Sequence, residues 1–266
     1  MTRVAVVGHV EWVEFLHVPR LPDRGEVLAA KRGEPRAAGG GGVAAAVLAE
    51  LGAEVDLFCA LGDDAVGDTV VAQLSERGVS VHAARRPEPT RRALALLDAE
   101  GERTILTLGE RLVPRADDEL AWERLAAADG AYLTAGDPAA CRLARAAGVL
   151  VATPRVREEL KDDGPALDAL VFSDADPTER AWARRLESGA RLIVSTEGRA
   201  GGRWWGESEG RWEPAAPPSE AQDSYGCGDA FAAAFTYGLA AGSDVAVAAE
   251  LGARHGALML TRIGAP

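Results

Sequence analysis

Short apolar runs that end at glycine alternate along this chain with longer alanine-rich runs. That alternation restricts the fold more than any other feature. "RVAVVG" (3–8) reads as a buried strand, "GVAAAVLAELG" (42–52) as a helix stopped by glycine, and "AEVDLFCALG" (53–62) as the next strand. "DAVGDTVVAQLSERG" (64–78) then reads as a second glycine-terminated helix. The strand runs are mostly apolar, which predicts that both of their faces are covered. Strand–helix alternation with such strands predicts an α/β fold with a mainly parallel sheet between helical layers.

Two segments break the pattern. Residues 11–37 hold short runs interrupted by "PRLPDRGE", and residues 79–108 hold β-rich runs separated by proline and by "DAEGE", a hairpin turn signal. Together they predict a small sheet outside the main one. Alternation resumes with helices near 117–127, 138–147 and 177–187 and strands at 130–136, 148–153, 169–173 and 190–196. A Trp-rich hairpin at "GGRWWGESEGRWEP" and two closing helices, 227–241 and 244–259, complete the chain. A length of 266 residues suffices for one large α/β domain or two smaller ones.

Charge excludes some functions. With 29 Lys and Arg against 41 Asp and Glu, the net charge is −12. Such a chain is poorly suited to nucleic acid or to an anionic membrane surface. The opening "MTRVAVVGHVEW" lacks the length of apolar run that a signal peptide needs, and no window approaches the ~20 apolar residues of a membrane span. Three scattered cysteines, Cys59, Cys141 and Cys227, suit neither a disulfide framework nor a zinc site. A cytoplasmic location is the expectation.

The stretch "DSYGCGDAFAAAF" (223–235) carries the chemistry. Gly226 and Gly228, with Cys227 between them, open a helix N-terminus whose free amides and partial positive charge suit phosphate oxygens. Asp229 in the first turn would repel that phosphate unless it takes a proton from an attacking hydroxyl. Phosphoryl transfer is mainly positioning and charge neutralisation, so an anion hole plus one base nearly suffices. The competing reading is an Asp that only complements the helix dipole, worth about 0.3–1 kcal/mol.

The same stretch resembles the C-terminal signature D-T-x-G-A-G-D-x-F of the PfkB carbohydrate kinases, the ribokinase-like family. Asp223, Gly226, Gly228, Asp229 and Phe231 match, while Ser224 and Cys227 are mild replacements. "LPDRGE" (21–26), "AGGGGVAAAVLAELG" (38–52), "LGDDAVGD" (61–68), "GERT" (101–104), "STEGRAGG" (195–202) and "GALMLTRIGA" (256–265) also resemble family motifs, in the family's order. The resemblance therefore runs from Val4 to Ala265.

It implies one ribokinase-like domain over 1–266, a three-layer αβα sandwich with a small β-sheet lid, the lid segments lying near 11–37 and 79–108. It also implies ATP-dependent phosphorylation of a hydroxymethyl group on a small sugar, nucleoside or related acceptor. Asp229 would be the general base, and the amides of Gly226, Cys227 and Gly228 the anion hole. Thr196, Gly198, Gly201 and Asp223 would lie at the nucleotide, and Glu11, Gly39, Gly40 and Arg103 at the acceptor. Mg2+ would accompany ATP. Asp176 and Glu179 of "DPTE" stand nearest to the family's metal-ordering N-x-x-E motif, although Asp176 before Pro177 also reads as a plain helix cap. A monovalent cation beside the anion hole and a homodimer through the lid remain open.

The departures fall on the acceptor side. The chain contains no Asn. Counting from Gly8, the family's sugar-binding Asp falls on Val13 and its Asn on Glu11. The Asn of the Gly-rich motif falls on Val43 or Ala44. Lost hydroxyl partners point to an acceptor unlike ribose or fructose held in the usual way. Two other readings compete. One is a non-catalytic relative that kept the fold as a binding or regulatory protein. The other is a dinucleotide-dependent oxidoreductase using Gly39, Gly41 and Ala44, a pattern that should directly follow a buried strand and here follows charged "RGEPRAA".

Overall fold

The computed structural model describes residues 1–99, 103–161, 163–264 and 266. The chain enters on β1 (Arg3–Val7) and leaves at once for a small sheet through β2 (Glu11–His17), β3 (Lys31–Arg32) and β4 (Arg36–Ala38). It returns by α1 (Gly39–Glu50) to β5 (Glu54–Gly62), then continues through α2 (Ala65–Glu76) and β6 (Val79–Arg86). A second excursion supplies β7 (Arg92–Leu97) and β8 (Arg103–Leu108). The second half runs through β9 (Gly130–Leu133), α3 (Pro138–Leu143), β10 (Val149–Ala152), β11 (Leu167–Ser173), α4 (Pro177–Leu186) and β12 (Ala190–Thr196). The hairpin β13 (Gly202–Gly206) and β14 (Gly210–Trp212) follows, then α5 (Cys227–Ala240) and α6 (Val245–Met259).

The large sheet has the order β14-β13-β12-β11-β10-β9-β1-β5-β6. From β12 to β6 all pairs are parallel, and only the β13–β14 hairpin is antiparallel to its neighbours. Side chains alternate across a strand, so each strand feeds two layers. Val4, Val6, Leu57, Tyr132 and Val194 join one core with Val43 and Leu48 of α1, Leu74 of α2, Phe231 and Phe235 of α5, and Ala248 of α6. Ala5, Val7, Leu133, Leu150 and Ile193 face the other way, onto Cys141 of α3 and Ala183 and Leu186 of α4. The result is the expected αβα sandwich.

Helix starts follow the sequence. Asp64, Asp137 and Asp176 cap α2, α3 and α4 by accepting from first-turn amides, and Pro138 and Pro177 occupy first-turn positions where no partner is needed for the missing N–H. The segment 117–127 is an exception to the expected helix. Arg86 grips both oxygens of Asp118 at 2.7 Å, and the chain folds around that pair, leaving only a 3-10 turn at Trp122–Ala127.

The small sheet has the order β3-β2-β7-β8, with β4 also paired to β2. The first excursion, 11–37, feeds it. The second divides, because Val79–Arg86 pairs in parallel with β5 inside the large sheet, and only β7 and β8 join the small one. Val79 is buried there in the main core, and Ala84 in a small cluster with Ala60 and Leu112. The tip of the expected "DAEGE" turn, 100–102, lies outside the described residues. Val13, Phe15, Ala93, Ala95 and Leu97 form the inner face and join the same core as α1. Phe15 meets Tyr225 edge-on at 5.3 Å, a contact worth about 0.5–1.5 kcal/mol beyond burial. Among the described residues no helix is long and apolar enough to cross a membrane.

Candidate active site

Strand order locates the site before any side chain does. From β1 the chain steps outward to β5 and β6, then returns to β9 on the other side of β1 and builds in the opposite direction. Loops leaving neighbouring strands diverge at such a switch, and a crevice opens at the carboxyl ends of the strands. Here it opens between the residues after β1, Gly8 to Glu11, and those after β9, beginning at Thr134.

The N-terminus of α1 floors the crevice, and glycine lets it come close. A Cβ on Gly41 would lie 2.8 Å from the His9 carbonyl oxygen. One on Gly40 would lie 2.7 Å from Thr134 Oγ1, 3.1 Å from Asp229 Oδ1 and 3.4 Å from Arg155 Nη1. Gly39 therefore packs against His9, and Gly40 against Thr134, Asp229 and Arg155. This glycine run follows the short edge strand β4 of the small sheet, not a central parallel strand, so it is not a dinucleotide fingerprint.

Asp229 is 6 % exposed and lies in the first turn of α5. Gly226 caps that helix at φ +73°, where an L side chain costs about 1–2 kcal/mol. A Cβ there would also meet Val43 Cγ1 at 3.0 Å. Gly228 differs: a Cβ added to it meets nothing within 4 Å, so open space adjoins the first turn. The Cys227 thiol is pushed up to about 12, by burial above all, and is no thiolate. Tyr132 Oη donates to Asp229 Oδ1 at 3.0 Å, and Arg155 Nη1 donates to Oδ2 at 2.9 Å and to Oδ1 at 3.2 Å. Burial above all, then Asp229, holds Tyr132 neutral, and Asp229 above all keeps Arg155 firmly protonated.

The other expected residues divide by what they touch. Asp223 is buried, and its oxygens accept from the amides of Tyr225 and Gly264, both at 2.9 Å; it fixes the loop before α5. Tyr225 Oη accepts from the Gly39 amide at 3.2 Å and ties that loop to α1. Arg103 reaches from β8 to Ser224 Oγ at 2.6 Å, with its guanidinium 5.9 Å from the Tyr225 ring centre, so the small sheet touches the same loop. Thr196 closes β12 and donates to the Phe172 carbonyl at 3.3 Å. Gly198 faces open space, whereas Gly201 packs against the Trp212 backbone. Glu11 is buried beside Arg91, whose Nε lies 3.2 Å from Oε2. Burial raises the proton affinity of Glu11, and Arg91, Arg111 and Arg155 oppose that rise.

Asp176 and Glu179 do not pair as metal ligands. Asp176 Oδ1 accepts from the amides of Thr178 and Glu179 as a helix cap. Glu179 Oε2 accepts from the Ser173 amide, and its Oε1 faces Arg155 Nε at 3.6 Å. These donors do not fit a divalent cation, and among the described residues no cluster of three or more His, Cys, Asp or Glu forms a metal site. The open face at Gly228 above the α5 amides does fit a phosphate group.

Sequence reading missed Tyr132, Thr134, Arg155, Arg91 and Arg111. Tyr132 lies within β9, and Thr134 and Arg155 follow β9 and β10, positions that strand order singles out. Arg111 Nη2 donates to His9 Nδ1 and to the Thr134 carbonyl, each at 2.9 Å. With Nδ1 accepting, the His9 ring is neutral with its proton on Nε2. Burial, then Arg111, Arg155 and Arg91, hold its proton affinity well below the usual imidazole range.

The sequence matches the profile of the pfkB family carbohydrate kinases over residues 1–155 and 166–266. It is 32 % identical to the ATP-dependent ribose-1-phosphate kinase of Halopiger xanaduensis, across 100 % of this chain and 94 % of that one. It is 31 % identical to the acarbose 7(IV)-phosphotransferase of an Actinoplanes species, across 98 % of this chain and 92 % of that one. The Arabidopsis thaliana ribokinase, solved with ribose and ATP, matches the fold at a TM-score of 0.75 and 21 % identity, across 100 % of this chain and 95 % of that one.

Proposed function

The chain belongs to the pfkB family of carbohydrate kinases, and we propose that it moves the γ-phosphate of ATP to a hydroxymethyl group of a small sugar or sugar derivative, with Asp229 as general base. As a phosphotransferase with a hydroxyl acceptor it needs a base, an anion hole and a way to hold two substrates in line. The observation that carries the assignment is the placement of Asp229. It is buried at the mouth of α5, one residue from the open face at Gly228, and held in orientation by Tyr132 and Arg155.

In this reading the acceptor hydroxyl lies on Asp229 and gives it the proton as the oxygen attacks the γ-phosphorus. The amides of Gly226, Cys227 and Gly228 take the charge on the transferring group. Thr196 and Gly198 flank the nucleotide, while Gly201 and Asp223 shape the loops around it. Gly39, Gly40 and Glu11 line the acceptor side. The small sheet acts as a lid on one kinase unit spanning 1–266, with Arg103 linking it to the loop before α5. Ile105, Leu106 and Leu108 stand exposed on β8, which supports pairing of two chains through the lid.

Both curated relatives are named for sugar acceptors, which favours a sugar over a nucleoside. The test is ADP release from ATP and Mg2+ with a panel of sugars, sugar derivatives and nucleosides, the product being identified by phosphorus NMR. ADP should appear in step with a new phosphate ester. ATP binding without ADP release for any acceptor would instead support the non-catalytic binding protein.

A further inference from the structure

A second concavity opens at the opposite edge of the large sheet. Leu167 and Ala190 begin the paired parallel strands β11 and β12. Both line a groove of about 620 Å3, together with Lys161 and with Trp182, Arg185 and Leu186 of α4. The active-site crevice lies at the carboxyl ends of the strands, and this groove lies at their amino ends. Each of the two strands has seven residues, so at a rise of about 3.3 Å per residue roughly 20 Å of sheet separates the sites. The groove shares no residue with the site proposed above, and its size falls within the range of small-molecule sites, about 300–1,000 Å3.

Its charge runs against that of the chain. The net charge is −12, yet among the described residues Lys161, Arg185 and Arg191 line the groove and no Asp or Glu does. Trp182 carries three cations: Lys161 Nζ lies 4.5 Å from its ring centre, Arg185 Cζ 4.9 Å and Arg157 Cζ 5.7 Å. An indole has only two faces, so at least two of these like charges crowd one of them. Lys161 also meets Glu158 at 2.6 Å, and Arg191 meets Asp168 at 3.2 Å and Glu207 at 2.8 Å. The guanidinium groups of Arg157 and Arg185 have no hydrogen bond or ion pair among the described residues, only the indole. A cation gains less from a half-exposed indole than from an anion, so both groups are available, and their planar forks match phosphate oxygens.

The remaining wall is apolar. Leu167 and Leu186 are buried beneath the groove, Trp182 is half-buried, and a Cβ on Gly189 would meet nothing within 4 Å, so the space is open there. Cations beside an indole and an apolar floor suit a ligand that is flat at one end and multiply anionic at the other. A sugar phosphate lacks the flat apolar end, and the acidic chain disfavours a nucleic acid strand. We infer that this groove binds a nucleoside di- or triphosphate, its base against Trp182 and its phosphates on the cationic groups of Arg157, Lys161 and Arg185.

The test is the number of ADP molecules bound per chain, measured by calorimetry on the whole protein. The wild type is compared with Arg185→Glu and Trp182→Leu, neither of which touches the active-site crevice. Arg185 is exposed, so its reversal should leave thermal unfolding native even where loss of the half-buried indole does not. Each variant should lose one ADP equivalent, or bind it at least about tenfold more weakly, as expected when a cation or a stacking platform is removed. Two equivalents falling to one would support the groove and a nucleotide at the active site together. One falling to none would support the groove and count only against ADP at the active site. Equal numbers and affinities in the wild type and a natively folded Arg185→Glu would overturn the inference.

Adenosine and pyrophosphate, titrated in the same way, separate the two ends of the ligand. Each should bind the Arg185-dependent site at least about tenfold more weakly than ADP, because each lacks one of the two contacts. Pyrophosphate binding as tightly as ADP would overturn the nucleotide assignment and leave a plain anion site. Adenosine binding as tightly as ADP would overturn the part given to the cations.

Discussion

Arg155 Nη1 lies 2.9 Å from one oxygen of Asp229 and 3.2 Å from the other, joining a side chain that is 41 % exposed to one that is buried. Glu179 stands on the far side of the same guanidinium, 3.6 Å from its Nε. In the proposed reaction this pair would set a fixed positive charge beside the transferring phosphoryl group, and the acceptor hydroxyl would share Asp229 with it.

Arg155→Met should therefore lower kcat by about 10- to 100-fold, because it removes a preorganised donor beside the developing charge. Its effect on stability should be smaller, about 1–2 kcal/mol, since water can reach the space and Tyr132 still donates to Asp229. Steady-state kinetics and urea unfolding of the same variant check both. A large loss of stability with normal kcat would make the pair structural.

Gly228→Ala separates folding from phosphate approach. The added methyl meets no protein atom, and alanine favours a helix over glycine by up to about 1 kcal/mol. Thermal unfolding should stay level or rise, while kcat/KM for ATP should fall by at least about tenfold as the methyl enters the space reserved for phosphate. Gly226→Ala should behave oppositely and lose about 1–2 kcal/mol from its left-handed backbone and its contact with Val43.

His9 gives stability a pH dependence of known sign. Its proton affinity is depressed in the folded state, so the unfolded chain binds a proton first as pH falls below the ordinary imidazole value near 6.5. Its contribution is complete above that value and is lost below it, at up to about 1.4 kcal/mol per pH unit. His9→Asn keeps an acceptor for Arg111 and removes the titration. Urea unfolding between about pH 7 and about pH 5 should show a flatter decline for the variant. His255, also depressed by burial, contributes in the same direction to both proteins.

The parts legible in the sequence were those carried by neighbouring residues. Glycine-bounded apolar runs gave β1 and β5, the Asp176–Pro177 pair gave the start of α4, and Gly226 to Asp229 announced the mouth of α5 within four positions. The partners of Asp229 were not legible, because Tyr132 and Arg155 lie 97 and 74 residues away and meet it only once the sheet is ordered. Likewise nothing in the sequence marked Arg91 or Arg111, which meet Glu11 and His9 only across the fold. Val79–Arg86 was misplaced for a related reason: a short β run does not say which of two sheets will take it.

The central claim is that Asp229 takes the acceptor proton, and Asp229→Asn tests it most directly. The variant keeps the shape of the side chain and its place beside Tyr132 and Arg155. ADP formation with the best acceptor should fall by about 100- to 10,000-fold, the range for loss of a general base, while ATP affinity changes by no more than a few-fold. A variant that folds, binds ATP and turns over within a few-fold of the wild type would contradict the account.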